Sequence, residues 1–266
     1  MRNKLLMLVA LFLGGFIFYT SAAGPFESLV HRSLFLALVI GLGLLTYPLG
    51  AGKTWRPVGV VIDCLLALGA ITACLFITFN ANSILTTLPW ATPQDMALTA
   101  ILVVSILEVA RRAIGWVFPL LVTIGIAYAL LGDRLSGPLS HRGFDASFVT
   151  ETLFLGDLGV WGMLLGVAAT TIAAFVLFGS LLLHTGGGQT FIDLSMRIGG
   201  RSQGGAAKIA TVASSLFAMV SGSAVANVAT TGNFTIPMMK NARFKPEVAG
   251  AVEASASTGG QIMPPL

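Results

Sequence analysis

Charge is what this sequence has least of. Only 10% of its 266 residues are charged, 15 Lys and Arg against 11 Asp and Glu, and it has three histidines and two cysteines. A soluble domain carries about a quarter charged residues, so this chain lacks the polar surface to cover a water-soluble particle. Cys64 and Cys74 lie in one apolar run, where a helix holds them about 15 Å apart. That is beyond disulfide reach, and their spacing fits no metal motif. No nucleophile–base pair or metal-ligand spacing emerges, so no enzyme is expected. Gly186-Gly187-Gly188 is followed by no Lys-Ser/Thr and preceded by no strand, which excludes a phosphate loop. The basic residues form short clusters between apolar blocks, not the stripe of a nucleic-acid binder.

What the chain has is apolar length. Hydrophobic residues make up 55%, mean hydropathy is +0.88, and the runs reach the roughly 20 residues that cross a bilayer. Spans are expected at Leu5–Ala23, Ser33–Ala51, Val58–Phe79, Met96–Ala113, Trp116–Leu131 and Gly159–His184. The first, behind Arg2 and Lys4 and ahead of Ser21-Ala22-Ala23, reads either as a membrane span or as a cleaved signal peptide. Arg2 and Lys4, Lys53 and Arg56, and Arg111 and Arg112 fall on the cytoplasmic side by the distribution of basic residues. Asn80–Asp95, with no Lys or Arg, falls outside, and so does Gly132–Phe144 despite Arg134 and Arg142. Trp55, Trp90, Trp116 and Trp161 fall near span ends, as interfacial anchors do.

The stretch from Lys208 to the cluster Lys240, Arg243 and Lys245 is too long for one span and too short for two. Both flanks are basic, so both belong in the cytoplasm. Such a segment is a re-entrant hairpin. Its middle, Ser221 to Asn233, is rich in Gly, Ser, Thr and Asn, which loosen a helix and offer oxygens. Irregular backbone at membrane depth persists only beside protein or a water-filled cavity. A second break follows. Pro246 and Glu247 open a helix through Val248–Thr258, and Gly259-Gly260-Gln261-Ile262-Met263-Pro264-Pro265 unwinds it. A hairpin beside a discontinuous helix is how transporters hold substrate and ions near the midplane. Because the chain stops within this break, a longer natural protein is expected.

Two stretches, SGSAVANVATTGNFTIPMMK (Ser221–Lys240) and EASASTGGQIMPP (Glu253–Pro265), resemble tripartite ATP-independent periplasmic (TRAP) transporters. The likeness is to fused permeases that serve TAXI-type binding proteins. LEVARRAIGW (Leu107–Trp116), GPLSHRGF (Gly137–Phe144) and FIDLSMRIGGRSQGGAAK (Phe191–Lys208) match more loosely. The resemblance implies an all-α polytopic membrane fold, the first half of an elevator-type inverted-repeat carrier. Residues 1–135 would be a small-subunit-like four-helix domain plus a joining helix. Residues 136–266 would be the N-terminal part of a DctM-like large permease domain. It further implies a multi-pass protein of the cytoplasmic (inner) membrane that takes up organic anions, carboxylates or amino acids, brought by a periplasmic solute-binding protein. Sodium would be the coupling ion, with no other cofactor. The remaining partners would be the bilayer and the C-terminal half of the same permease, with no nucleic acid.

The candidate cation and substrate ligands are Ser221, Ser223, Asn227 and Thr231 in the hairpin and Ser257, Thr258, Gly259 and Gly260 in the broken helix, where Ser255 also offers an oxygen. Glu253, two turns into that helix, is a further candidate for a cation or for a pairing with the other half. Against this stands a packing role, in which the small residues only let helices approach. Other charges read as structural. Glu108 pairs with Arg111 and Arg112 at helical spacing; Asp63 reaches Arg56 or water. Asp193 and Arg197 lie on an amphipathic interfacial helix. His31 and His141 are expected in solvated loops, and His184 at a helix end. Two alternatives remain: a channel or carrier with no binding-protein partner, and a structural membrane subunit.

Overall fold

The computed structural model describes residues 2–50, 56–87, 90–200, 204–222 and 224–259, without the side chains of Arg56, Leu183, Ser221 and Ala226. The described residues form twelve α-helices and no strand. Five helices are long and apolar enough to cross a membrane: Arg2–Ala23, Ser28–Thr46, Pro57–Thr86, Val117–Arg134 and Met163–Leu182. These match five of the six expected spans. The sixth lies on α4 (Pro93–Ile114), whose ends carry Asp95, Arg111 and Arg112.

The chain divides into two compact units, Met1–Thr171 and Ile172–Leu266. The first holds α1 (Arg2–Ala23), α2 (Ser28–Thr46), α3 (Arg56–Thr86), α4, α5 (Val117–Leu131), α6 (Ala146–Leu153) and α7 (Met163–Val167). Side-chain caps set three of the starts, Asp145 capping α6 through the Phe148 amide. Glu27 accepts from the Leu29 and Val30 amides at 3.1 and 3.2 Å, satisfying donors that a helix start leaves orphaned. That begins α2 at Ser28, a turn ahead of the expected Ser33. The helix ends at Thr46, short of the expected Ala51, because Pro48 pushes Tyr47 out of the helical region (φ −113°, ψ 69°). Thr92 and Asp95 form a reciprocal capping box at the start of α4.

The early start of α2 corrects the expectation for His31. It lies inside the helix, 2% exposed, with Nε2 3.2 Å from the Ala169 carbonyl oxygen. His141 is in a loop as expected but half-buried; its ring nitrogens engage the Tyr128 carbonyl and the Gly143 amide. Asp63 turns to Arg112 Nη1 at 2.6 Å and the Leu49 amide at 3.0 Å. Arg112 also pairs with Glu108, which holds Arg111 as expected. The guanidinium thus ties α3, α4 and the end of α2, since it also reaches the Tyr47 carbonyl. Trp161 is likewise corrected. Its ring is fully buried and donates to the Phe154 carbonyl at 2.8 Å, because Val160 N–H folds back onto Leu153 O and starts the helix at Met163 rather than Gly159. Trp90 and Trp116 are exposed as expected of anchors; Trp55 lies outside the described residues.

Small residues bring the central helices of this unit together. Ala70, Ala73, Cys74, Ile77 and Ala81 form the buried face of α3, and Ser33 Oγ lies 2.8 Å from Thr78 Oγ1 across the α2–α3 contact. The outer faces stay apolar and exposed, as at Leu11, Phe12, Leu65 and Phe79. In water such patches would mark a binding surface; on helices of spanning length they face lipid.

The second unit begins within a π-helical turn (Ala168–Ile172) and continues through α8 (Ala173–His184), α9 (Gly187–Gly199), α10 (Gly205–Ser221), α11 (Ala224–Asn241) and α12 (Pro246–Gly259). α9 buries Ile192, Ser195 and Gly199 and exposes Leu194, Met196 and Ile198. α8 meets α10 where Gly179 has no side chain. A Cβ there would lie 2.5 Å from Val220 Cγ1 and 2.8 Å from the Val220 carbonyl oxygen. Helices α10, α11 and α12 pack on one another around Ala206, Ala210, Met239 and Ala249.

Candidate functional site

Helices α10 and α11 form a helical hairpin. Gly222, in the left-handed region at φ 59°, closes α10 by returning its amide to the Ala218 carbonyl at 2.9 Å, the conformation glycine adopts most readily. The arms have 17 and 18 residues, about 26 Å each at 1.5 Å per residue. The hairpin middle is less open than expected. From Ala224 to Asn241 the chain is helical, so the backbone around Asn227 and Thr231 is not unwound. The reason is local: Thr231, Asn233 and Thr235 turn side-chain donors back to carbonyls four residues earlier, and Gly232 sits under a neighbouring helix.

Helical spacing makes one face of α11 polar. Asn227, Thr231 and Thr235 recur every four residues and so stack on one side. All three are at most 1% exposed, as are Ser214 on α10 and Glu253 and Ser257 on α12. They converge on the Glu253 carboxyl. Oε1 meets Thr231 Oγ1, Ser257 Oγ at 3.2 Å and Ser214 Oγ at 3.3 Å. Oε2 meets Thr235 Oγ1. Ser214 Oγ also lies 3.3 Å from both Thr231 Oγ1 and Ser257 Oγ. Asn227 Nδ2 donates to the Ser214 carbonyl at 2.8 Å, whereas its Oδ1 is buried with no hydrogen-bond partner among the described residues. α12 lies against Gly232 as well: a Cβ there would meet Glu253 Cγ at 3.4 Å, an ordinary contact.

Of the residues expected to bind, Asn227, Thr231, Ser257 and Glu253 are brought together. Thr258 and Gly259 are not. Both are exposed, and Thr258 Oγ1 donates to its own helix at the Ala254 carbonyl. One residue along a helix turns a side chain by about 100°, so Ser257 faces in and Thr258 faces out. Ser255 is exposed too, on an open groove with Thr211 and Glu247. Ser223, Gly260, the Ser221 side chain and the expected break at Gly260–Pro265 lie outside the described residues. Sequence reasoning missed Ser214 and Thr235. Thr235 continues the four-residue stripe of Asn227 and Thr231, a legible signal. Ser214 has no local signal, because its partners lie on other helices.

The cluster has one carboxyl, four hydroxyls and an amide oxygen. No ion pair joins Glu253 to a basic side chain among the described residues; the ion pairs there involve Asp63, Glu108, Arg111 and Arg112. No group of three or more His, Cys, Asp or Glu able to hold a metal ion occurs among the described residues. A single carboxyl among neutral oxygens suits a small monovalent cation, not a soft or highly charged metal. A buried carboxylate otherwise lacks compensation.

Residues 101–266 match the family model described as "Tripartite ATP-independent periplasmic transporter, DctM component". The chain is 30% identical over 146 residues to the 2,3-diketo-L-gulonate TRAP transporter large permease protein YiaN of Escherichia coli, covering 54% of this chain and 32% of that one. It is 32% identical over 94 residues to the C4-dicarboxylate TRAP transporter large permease protein DctM of Rhodobacter capsulatus, covering 35% and 21%. The sialic acid TRAP transporter large permease protein SiaM of Vibrio cholerae is 24% identical over 151 residues, covering 57% and 34%. The chain therefore spans no more than about a third of the length of these relatives. No solved structure matches it significantly. Its apolar helices are those of a multi-pass inner-membrane protein, and the chain belongs to the DctM component family of tripartite ATP-independent periplasmic transporters.

Proposed function

We propose that this chain is the N-terminal part of a permease that takes up an organic anion with sodium, the anion being delivered by a periplasmic binding protein. The observation that carries the reading is the buried junction of the α10–α11 hairpin and α12. There a carboxyl and an unpartnered amide oxygen sit among hydroxyls, with no basic side chain paired to them among the described residues. Family membership and the printed substrates of the relatives, a diketo-gulonate, a C4-dicarboxylate and sialic acid, support an organic acid as cargo. All three are anions, so a bound cation offsets their charge.

In this reading the hairpin enters and leaves the membrane from the cytoplasmic side, because Lys208 and Lys240 flank it and arms of about 26 Å fall short of the roughly 30 Å hydrocarbon core. Sodium binds towards the hairpin tip, where Asn227 Oδ1 provides an oxygen without a partner among the described residues and helix ends provide partial charge. The second half of the permease completes the site, and the hairpin module moves as an elevator against a scaffold made by residues 1–135. The test is uptake of C4-dicarboxylates, diketo-gulonate and sialic acid by the full-length permease in proteoliposomes with its binding protein. Uptake should require sodium and fall about tenfold or more in Asn227→Ala, the loss of one hydrogen-bond-strength contact to a charge. Uptake indifferent to sodium contradicts the reading.

A further inference from the structure

The loop from Gly132 to Asp145, which holds the GPLSHRGF stretch, is pinned in one conformation by His141. Gly143 N–H donates to His141 Nδ1 at 3.1 Å, so the ring proton sits on Nε2, 2.9 Å from the Tyr128 carbonyl oxygen. The ring occupies the space that a side chain on Gly132 would need: an ideal Cβ there would lie 1.8 Å from Nε2. The His141 and Phe144 amides return to the Gly132 and Ala129 carbonyls at 3.2 and 3.0 Å, and the Tyr128 hydroxyl donates to the Leu139 carbonyl at 3.0 Å. Gly143 turns the chain at φ 69°, a left-handed conformation that glycine adopts readily. A mere connection between two spans needs none of these contacts.

The pinned loop presents an open recess of about 560 Å³, lined by the apolar Leu130, Phe144 and Phe148 and by the charged Asp133, Arg142 and Asp145. The Arg142 guanidinium carbon lies 5.7 Å from the Phe144 ring centre, a cation–π distance. Arg134 and Arg142 are exposed and enter no ion pair among the described residues. Leu139, between them in sequence, is 67% exposed. Arg111 and Arg112, just ahead of α5, put this loop on the outer side of the membrane, where basic residues are the disfavoured ones. An arginine beside aromatic rings, held in one conformation, is the make-up of a protein-binding hot spot. The two aspartates near Arg142 oppose a free organic anion or a lipid phosphate. They suit a protein surface, whose acidic and basic side chains can meet each charge in turn.

We propose that this loop docks the periplasmic solute-binding protein, an acidic side chain of that partner meeting Arg142 and an apolar one entering the recess against Phe144 and Phe148. Docking here presupposes that the chain is part of a permease fed by such a protein. The loop lies wholly within the first unit, so the docking face is formed without the cation-handling hairpin.

The test measures binding of the purified, fluorescently labelled binding protein to the full-length permease in nanodiscs. Arg142→Glu should weaken binding about tenfold or more, the size of a hot-spot loss, with the thermal unfolding midpoint unchanged because Arg142 is exposed. Arg142→Gln should flatten the fall of the association rate with rising salt. Asn82→Glu, exposed at the outer end of α3, should change affinity by under about twofold at physiological salt, where a remote charge is screened. Equal losses in Arg142→Glu and Asn82→Glu overturn the proposal. So does unchanged affinity in Arg142→Glu with uptake reduced, which would assign Arg142 to the path of the substrate. A wild-type permease that binds no such protein defeats the delivery reading and this docking face together. Binding that ignores Arg142 defeats the docking face alone, and uptake without sodium touches neither.

Discussion

Removing single hydroxyls from the Glu253 cluster should reveal an order set by how many partners each carboxyl oxygen has. Oε2 is met by one hydroxyl among the described residues, that of Thr235. Oε1 is met by three, from Thr231, Ser214 and Ser257. Thr235→Val leaves Oε2 buried and unpaired, a loss of about 1–3 kcal/mol in a protein interior. Hydrogen bonds between membrane helices average about 0.6 kcal/mol and reach about 1.7, so about 1–2 kcal/mol is expected. Thr231→Val leaves Oε1 with two hydroxyls and should cost about 0.5 kcal/mol by the same scale. In a Glu253→Leu background, Thr235 keeps its bond to the Thr231 carbonyl, and Thr235→Val should then cost under about 0.5 kcal/mol, the signature of coupled sites. The assay is reversible unfolding of the full-length protein in mixed detergent, with the double-mutant cycle completed. Equal costs for the two threonines, or additivity of Thr235→Val with Glu253→Leu, would refute the hydrogen-bond assignment.

Two further outcomes follow from packing and charge. Arg112→Ala should destabilise the first unit by about 3 kcal/mol, because it strands Asp63, and Glu108 in part, in a poorly solvated site; Arg112→Lys should recover less than half in the same unfolding assay, since a point charge cannot reproduce the fork. Gly179→Val should cost about 1–3 kcal/mol through overpacking against Val220, whereas Gly15→Val, at a position with nothing near its Cβ, should change thermal stability little.

The membrane helices were legible because apolar length is a local property. So was the folding-back of α10 and α11 on each other, in a stretch too long for one span. The Glu108 ion pair was legible because its partners lie three and four residues away on one helix. What escaped depends on tertiary contact. Asp63 took Arg112, 49 positions away, because α3 and α4 pack side by side. His31 reads as a loop residue from the sequence because the Glu27 cap, which pulls the helix start back over it, is an unusual use of glutamate. Trp161 read as an anchor, yet a carbonyl seven residues earlier takes its N–H in a buried turn. Within the candidate site, the stripe Asn227, Thr231 and Thr235 follows from a spacing of four, but Ser214 joins Glu253 across 39 positions. The polarity of the hairpin middle suggested an unwound segment. Threonine and asparagine instead satisfied their own helix and presented the same oxygens from a regular backbone.

Everything proposed for the site requires that α10 and α11 enter and leave on one side of the membrane. The direct test places single cysteines at Lys208 and Lys240, both exposed, in the intact permease freed of Cys64 and Cys74, and labels them with a membrane-impermeant thiol reagent. Both positions should react from the cytoplasmic face and neither from the periplasmic face. Reaction of the two from opposite faces would make this segment a crossing, and the cation site built on its turn would have no basis.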